Sequence, residues 1–304
     1  MLEPSTEAVA AGVDRVITLA DGRTLGYCEF GDPAGYPVIA LHGTPGSRFK
    51  YSGSHIAAAA RGLRLIAPDR WGYGLSSRKR SPAIGDYGDD IASLADTLGL
   101  GSFHLTGVSG GGPFAVAAAA RLAGRVTALA LVSPVGLIHG PAGMARLSPF
   151  HTFCFRVMPH LPGALTATFY AYRSALRLAP DLAMWVAVSR SPEVDRVAVR
   201  DRYTRDRLVK TFSTGLEHSV RGPAVDIGLF SKPWGIDFGR VRAPVRIWIG
   251  SADRNVPISA VNALHEVLPG STFTRLSGEG HLWVAIHGND VLDWLCGMPR
   301  STRR

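Results

Sequence analysis

Along the chain, short apolar runs alternate with stretches whose apolar residues recur at helical spacing. The runs at 38–41, 63–67, 103–106, 126–132 and 245–249 are rich in valine, isoleucine and leucine and are punctuated by proline, glycine or serine. Runs this apolar predict strands covered on both faces, as in a parallel sheet with helical crossovers. A further strand is predicted at 273–276, and helices at 55–60, 89–98, 113–122, 261–268 and 291–295. Near the start, "RVITLADGRTLGYCEFG" alternates polar and apolar positions around Asp21-Gly22, a β-hairpin signal. The pattern predicts an α/β doubly wound sheet, mostly parallel, with an antiparallel start and helices on both faces.

Between Gly136 and Trp234 the alternation fails. This stretch is helical in pattern, rich in aromatics (Phe150, Phe153, Phe155, Phe169, Tyr170, Tyr172, Trp185, Tyr203, Phe212, Phe230) and broken by Pro141, Pro149, Pro159, Pro162, Pro180 and Pro192. It predicts a mostly helical insertion at 137–233, dividing a core into 1–136 and 234–304. Within it, Asp201–Arg205 and Arg202–Asp206 have the spacing to pair on a solvated helix.

Composition narrows the class. With 304 residues, 46% hydrophobic and 19% charged, the chain can bury a sizeable core, and disorder is expected only at the ends "MLEPSTEAV" and "PRSTRR". The formal net charge is +9, but the arginines are scattered, Arg78-Lys79-Arg80 is the one tight basic run, and no nucleic-acid-binding motif is present. Cys28, Cys154 and Cys296 are far apart and read as small buried apolar residues rather than a disulfide framework or metal site. No signal-peptide pattern opens the sequence, and its most apolar run, 126–138, falls short of the about 20 residues a membrane span needs, so a cytoplasmic location is expected by default.

The chemistry centres on "LTGVSGGGPF". A strand at 103–106 runs into Gly107-Val108-Ser109-Gly110-Gly111, and a helix follows. Strand, then G-x-S-x-G, then helix is the context of a nucleophile elbow. The turn needs tiny residues two before and two after the serine, and Gly107 and Gly111 supply them. The helix N-terminus behind Ser109 offers free N–H groups to a developing oxyanion. Alone, the motif is as compatible with an idle serine in a glycine-rich turn, although it lacks a P-loop's Gly-Lys-Ser/Thr ending. A serine also needs a base, an orienting acid and an oxyanion site. The turn "HGTPGS" can add the Thr44 N–H to that of Gly110, with His42 bracing the loop. Asp253 follows the strand at 245–249 and His281 follows that at 273–276, at the sheet edge where such active sites lie. The order Ser109, Asp253, His281, each after a strand, favours the functional reading. Asp69 reads as structural, Glu279 as solvent-facing, and His265 and His287 as helix-surface residues.

On "HGTPGS" at His42, "DRWGYGLS" at Asp69, "GVSGGG" at Gly107, "GSADRNVP" at Gly250 and "GEGH" at Gly278, the chain resembles the α/β-hydrolase superfamily, in its capped esterase-like branch, along nearly its whole length. The resemblance implies the α/β-hydrolase fold, with residues 137–233 as a cap over the site. It implies Ser109 as nucleophile, His281 as general base then acid, Asp253 as orienting carboxylate, Thr44 and Gly110 as backbone oxyanion donors, and His42, Gly43, Gly107 and Gly111 as structural. Many members of the superfamily carry a bulky residue directly after the nucleophile; Gly110 departs from that and is expected to enlarge the acyl pocket.

A serine at the elbow points away from epoxide hydrolases and haloalkane dehalogenases of this fold, which use aspartate there. An apolar cap favours a hydrophobic ester or lactone as substrate. A proline-type aminopeptidase would need cap carboxylates for the substrate amine, with Glu193, Asp195 and Glu217 as candidates. Carbon–carbon bond hydrolases and perhydrolases share the same triad, and a small-ligand receptor of this fold can retain it. No metal or nucleotide fingerprint is visible, so no cofactor is expected; a homodimer is compatible with the sequence but not specified by it.

Overall fold

In the computed structural model the described residues are 12–139 and 147–300. Pro141 and most of the two ends expected to fray lie outside them. Eight strands form one sheet: β1 (Arg15–Thr18), β2 (Thr24–Gly31), β3 (Tyr36–Leu41), β4 (Leu63–Pro68), β5 (Phe103–Val108), β6 (Val126–Val132), β7 (Val245–Gly250) and β8 (Thr272–Leu276). Their spatial order is β1-β2-β4-β3-β5-β6-β7-β8. The β1–β2 hairpin joins β4 antiparallel, and every later pairing is parallel.

The central strands are apolar throughout because both their faces are covered. Ile39, Leu41, Leu105, Leu129, Leu131, Ile247 and Ile249 fill one side of the sheet. They pack with α2 (Tyr87–Thr97), α3 (Gly111–Arg121) and α10 (Ile258–Val267). The alternate residues Val38, Ala128, Ala130, Val132 and Trp248 fill the other, against α1 (His55–Ala59) and α11 (Val284–Cys296). Two-residue periodicity thus divides one sheet between two cores. Each large aliphatic side chain so buried contributes about 1.5–3 kcal/mol. α11 is longer than predicted: Gly288 and Asp290 interrupt its apolar pattern, and the backbone kinks at His287 (φ −107°, ψ 26°) without ending the helix.

Between β6 and β7 lie α4 (Pro149–Thr152), α5 (Ala164–Leu178), α6 (Pro180–Val188), α7 (Glu193–Arg200), α8 (Arg202–Leu216) and α9 (Arg221–Phe230). Pro180 opens α6 and Pro192 precedes α7, positions where a missing N–H costs nothing. These helices share a third apolar cluster that includes Phe169, Met184, Leu208 and Leu216. Trp185, Tyr170 and Tyr203 stay exposed, so the aromatic content divides between packing and surface. One expected pair forms, Arg202–Asp206 at 3.5 Å. The other does not: Asp201 caps α8 by accepting the Thr204 N–H at 2.8 Å, and Arg205 pairs with Asp181 at 2.9 Å. Capping wins because the first-turn N–H has no helical acceptor. No helix among the described residues is long and apolar enough to cross a membrane, and none of their His, Cys, Asp and Glu side chains form a cluster suited to a metal ion.

Candidate active site

β5 ends at Val108 and α3 begins at Gly111, so the reversal falls on Ser109 and Gly110. Ser109 takes φ +52°, a left-handed conformation rare for a residue with a side chain. It is held by its N–H donating to Val132 O at 2.9 Å and by its carbonyl accepting from Gly112 and Val135. The flanking glycines are steric: a Cβ on Gly107 would stand 2.7 Å from Gly111 O, and one on Gly111 would stand 2.6 Å from the carbonyls of Leu41 and His42.

Asp253 follows β7 and His281 follows β8. Asp253 Oδ1 accepts the N–H groups of Asn255 (2.8 Å) and Val256 (3.2 Å), which leaves Oδ2 for His281 Nδ1 at 2.7 Å. His281 Nε2 lies 3.1 Å from Ser109 Oγ. The three residues singled out from chain order are thereby in one hydrogen-bonded line. Burial pushes the imidazolium of His281 down, but the charge and hydrogen bond of Asp253, joined by the charge of Asp195, outweigh it and raise the pKa above the usual value.

His42 does not join that line. It is fully buried, accepts the Arg70 N–H at Nε2 (3.0 Å), and its pKa is driven far down by burial and by the Arg70 charge. Arg70 pairs with Asp226 of α9 at 2.6 Å, and the same carboxylate oxygen accepts the hydroxyls of Thr44 and Tyr73, both at 2.6 Å. This buried network ties the 42–47 loop to the inserted helices. Gly43 brings the loop against Ser109: a Cβ there would be 3.4 Å from Ser109 Cβ. The side chain missing from Gly110 does not open an acyl pocket as expected. A Cβ at Gly110 would collide with Thr44 Oγ1 and lie 3.1 Å from the Phe230 ring, because those two groups already fill the space. Asp69 is buried and accepts from Arg48 and Leu75, in line with a structural role.

A model of the alpha/beta hydrolase fold matches residues 36–285. The chain belongs to the alpha/beta hydrolase family. It is 35% identical over 121 residues to a non-heme chloroperoxidase of Streptomyces lividans, which is 39% of this chain and 44% of that protein. It is 36% identical over 126 residues to lipase 1 of Psychrobacter immobilis, which is 40% and 38%. The matched stretches span less than half the length of these curated relatives. Among solved structures, an esterase from Rhodococcus sp. ECU1013 superposes with a TM-score of 0.67 at 21% identity, covering 94% of this chain and 99% of that one. A hydrolase-fold protein from Nakamurella multipartita gives 0.65 at 22%, covering 94% and 100%. These two likenesses establish the fold.

In this alpha/beta hydrolase, Ser109 and His281 open into a cavity of about 350 Å³ walled by the inserted helices. Phe150, Phe155, Met184, Phe212 and Phe230 make most of it apolar. Three residues matter here whose roles the sequence did not indicate. His151 lines the cavity, bonded through Nδ1 to Ser148. Lys50 reaches the wall from the turn after the 42–47 loop. Asp195 of α7 is buried and accepts the backbone N–H groups of His281 and Leu282, both at 2.9 Å. Asp195 is therefore bound to the His281 loop rather than free for a substrate amine. Glu193 is tied to Arg196 and Arg200, and Glu217 is exposed. Glu279, expected in solvent, is half-buried, 3.5 Å from His287. Cys28 is buried as expected, but Cys154 is only partly so and lines the cavity.

Proposed function

We propose that this protein is a serine hydrolase that cleaves a carboxylic ester or lactone of a largely apolar small molecule through an acyl-enzyme. The observation that carries the reading is His281 bridging Asp253 and Ser109, with His281 and Ser109 lining a largely apolar cavity. Ser109 Oγ attacks the carbonyl carbon as His281 Nε2 takes its proton. Asp253 holds the imidazole through Nδ1 and stabilises the imidazolium, which is the sense of the raised pKa. The oxyanion is held by the backbone N–H groups of Thr44 and Gly110, each such donor contributing about a hundredfold or more to rate. His281 returns its proton to the leaving oxygen, then activates the water that frees the acid. In this reading residues 137–233 act as a cap that shapes the cavity and excludes water.

The relatives named lipase and esterase support ester chemistry. The cavity lining contains no carboxylate among the described residues, which disfavours an aminopeptidase reading. A fluorophosphonate probe is expected to label the wild type and not Ser109→Ala, with p-nitrophenyl esters turned over faster than proline p-nitroanilide. A wild type that resists the probe is not a serine hydrolase, and a ligand receptor of the same fold then becomes the reading.

A further inference from the structure

We propose that Lys50 and Thr211 form an anion subsite within the cavity, so that the ester or lactone cleaved at Ser109 carries a carboxylate; the identity of the reaction rests on the reading above, the subsite does not.

Lys50 lies on the 3-10 turn Arg48–Ser54 and lines the Ser109–His281 cavity, where it is the one lysine, arginine, aspartate or glutamate in the lining among the described residues. It also lines a side chamber of about 60 Å³; the two spaces share Lys50, Val108, Leu208, Thr211 and Val284. No carboxylate among the described residues pairs with its ammonium. The charge it does meet is of the same sign: Arg207 of α8 lines the side chamber, likewise without a carboxylate partner and with Nε buried and unbonded. Burial, then the Arg207 charge, pull the Lys50 pKa down to about 8.

The second observation is independent of charge. Thr211 is 2% exposed, and its Oγ1 has no hydrogen-bond partner among the described residues although it lines both spaces. A buried hydroxyl without a partner and an ammonium without a counter-charge are each costly. One carboxylate from the substrate satisfies both, and its charge raises the Lys50 pKa again. Most of the other residues lining the cavity are apolar, which suits the carbon chain that would join the carboxylate to the ester. The chamber's size suits a carboxylate, and a phosphate is the competing oxyanion.

Binding to Ser109→Ala protein by calorimetry tests the subsite without turnover. Glutarate is expected to bind at least about tenfold more tightly than neutral glutaramide. Lys50→Met and Thr211→Val each remove that preference, and Lys50→Arg restores most of it. Equal binding of glutarate and glutaramide overturns the proposal, as does a preference that survives Lys50→Met. Inorganic phosphate binding more tightly than glutarate overturns the carboxylate assignment. Because Lys50→Met removes an unpaired, partly buried charge, its urea midpoint is expected at or above that of the parent, which separates lost binding from lost folding. In active enzyme, the kcat/KM ratio of p-nitrophenyl monoadipate to p-nitrophenyl hexanoate should exceed one and fall about tenfold in Lys50→Met. Absent probe labelling with intact glutarate binding would sink the serine-hydrolase reading and leave the subsite standing.

Discussion

Ser109 holds a φ of +52° against a cost of about 1–3 kcal/mol, and its backbone bonds to the Val132 carbonyl and from the N–H groups of Gly112 and Val135 keep it there. The strain leaves the hydroxyl facing His281 in advance of any substrate. Asp253→Asn preserves the shape of that site but offers His281 an amide in place of a carboxylate. Turnover of a p-nitrophenyl ester is expected to fall by about 10⁴-fold with an unchanged circular dichroism spectrum. Survival of activity would move the acid elsewhere. Gly110→Met drives a side chain into Thr44 and Phe230, so lower kcat and a lower melting temperature are expected for esters of every acyl length. A selective gain for one acyl length would contradict the packing. These residues were legible because each sits at a strand end within a short glycine-marked motif. Lys50, His151 and Asp195 were not, because their roles come from contacts that no local period encodes. Asp195 lies 86 positions from the backbone it holds.

Two carboxylates of the inserted helices bond directly to the core. Asp195 on α7 contributes to the raised pKa of His281. Asp195→Asn removes that negative charge, so His281 holds its proton less tightly and loses it at a lower pH. Since the base must be unprotonated to act, the acid limb of kcat/KM, expected in the wild type above the ordinary histidine value of about 6.5, should move down. A limb that stays in place or rises would show that the charge does not reach His281. Asp226 on α9 is the counter-ion of Arg70, which is wholly buried. Asp226→Asn leaves that guanidinium uncompensated and frees the grip on Thr44 and Tyr73. A loss of about 3–5 kcal/mol is expected from urea unfolding. The helices themselves were legible from the broken strand pattern. Their docking was not: the expected Asp201–Arg205 pair gave way to a cap by Asp201 and a cross-helix ion pair of Arg205 with Asp181.

For the molecule as a whole, the sheet was the most legible feature. Runs buried on both faces announce themselves by composition, and the parallel pairing of β3 to β8 follows from the helices between them. The net charge of +9 is a property of the same scale. It draws anions toward the surface before any specific contact forms. For a p-nitrophenyl half-ester with a free carboxylate, kcat/KM should decline as added salt shortens the screening length toward about 8 Å, while the neutral ester stays level. Equal salt response of the two substrates would remove long-range attraction from the account.

The bond from Asp195 to the His281 loop joins two things that are usually separate, entry and reactivity. Any outward swing of α7 that widens the cavity also strips two amides of their acceptor and withdraws a negative charge from the imidazole. If these helices act as the proposed cap, opening it weakens the hold of His281 on its proton, and closing it makes the imidazole more basic, so one contact sets both the shape of the cavity and the strength of the base.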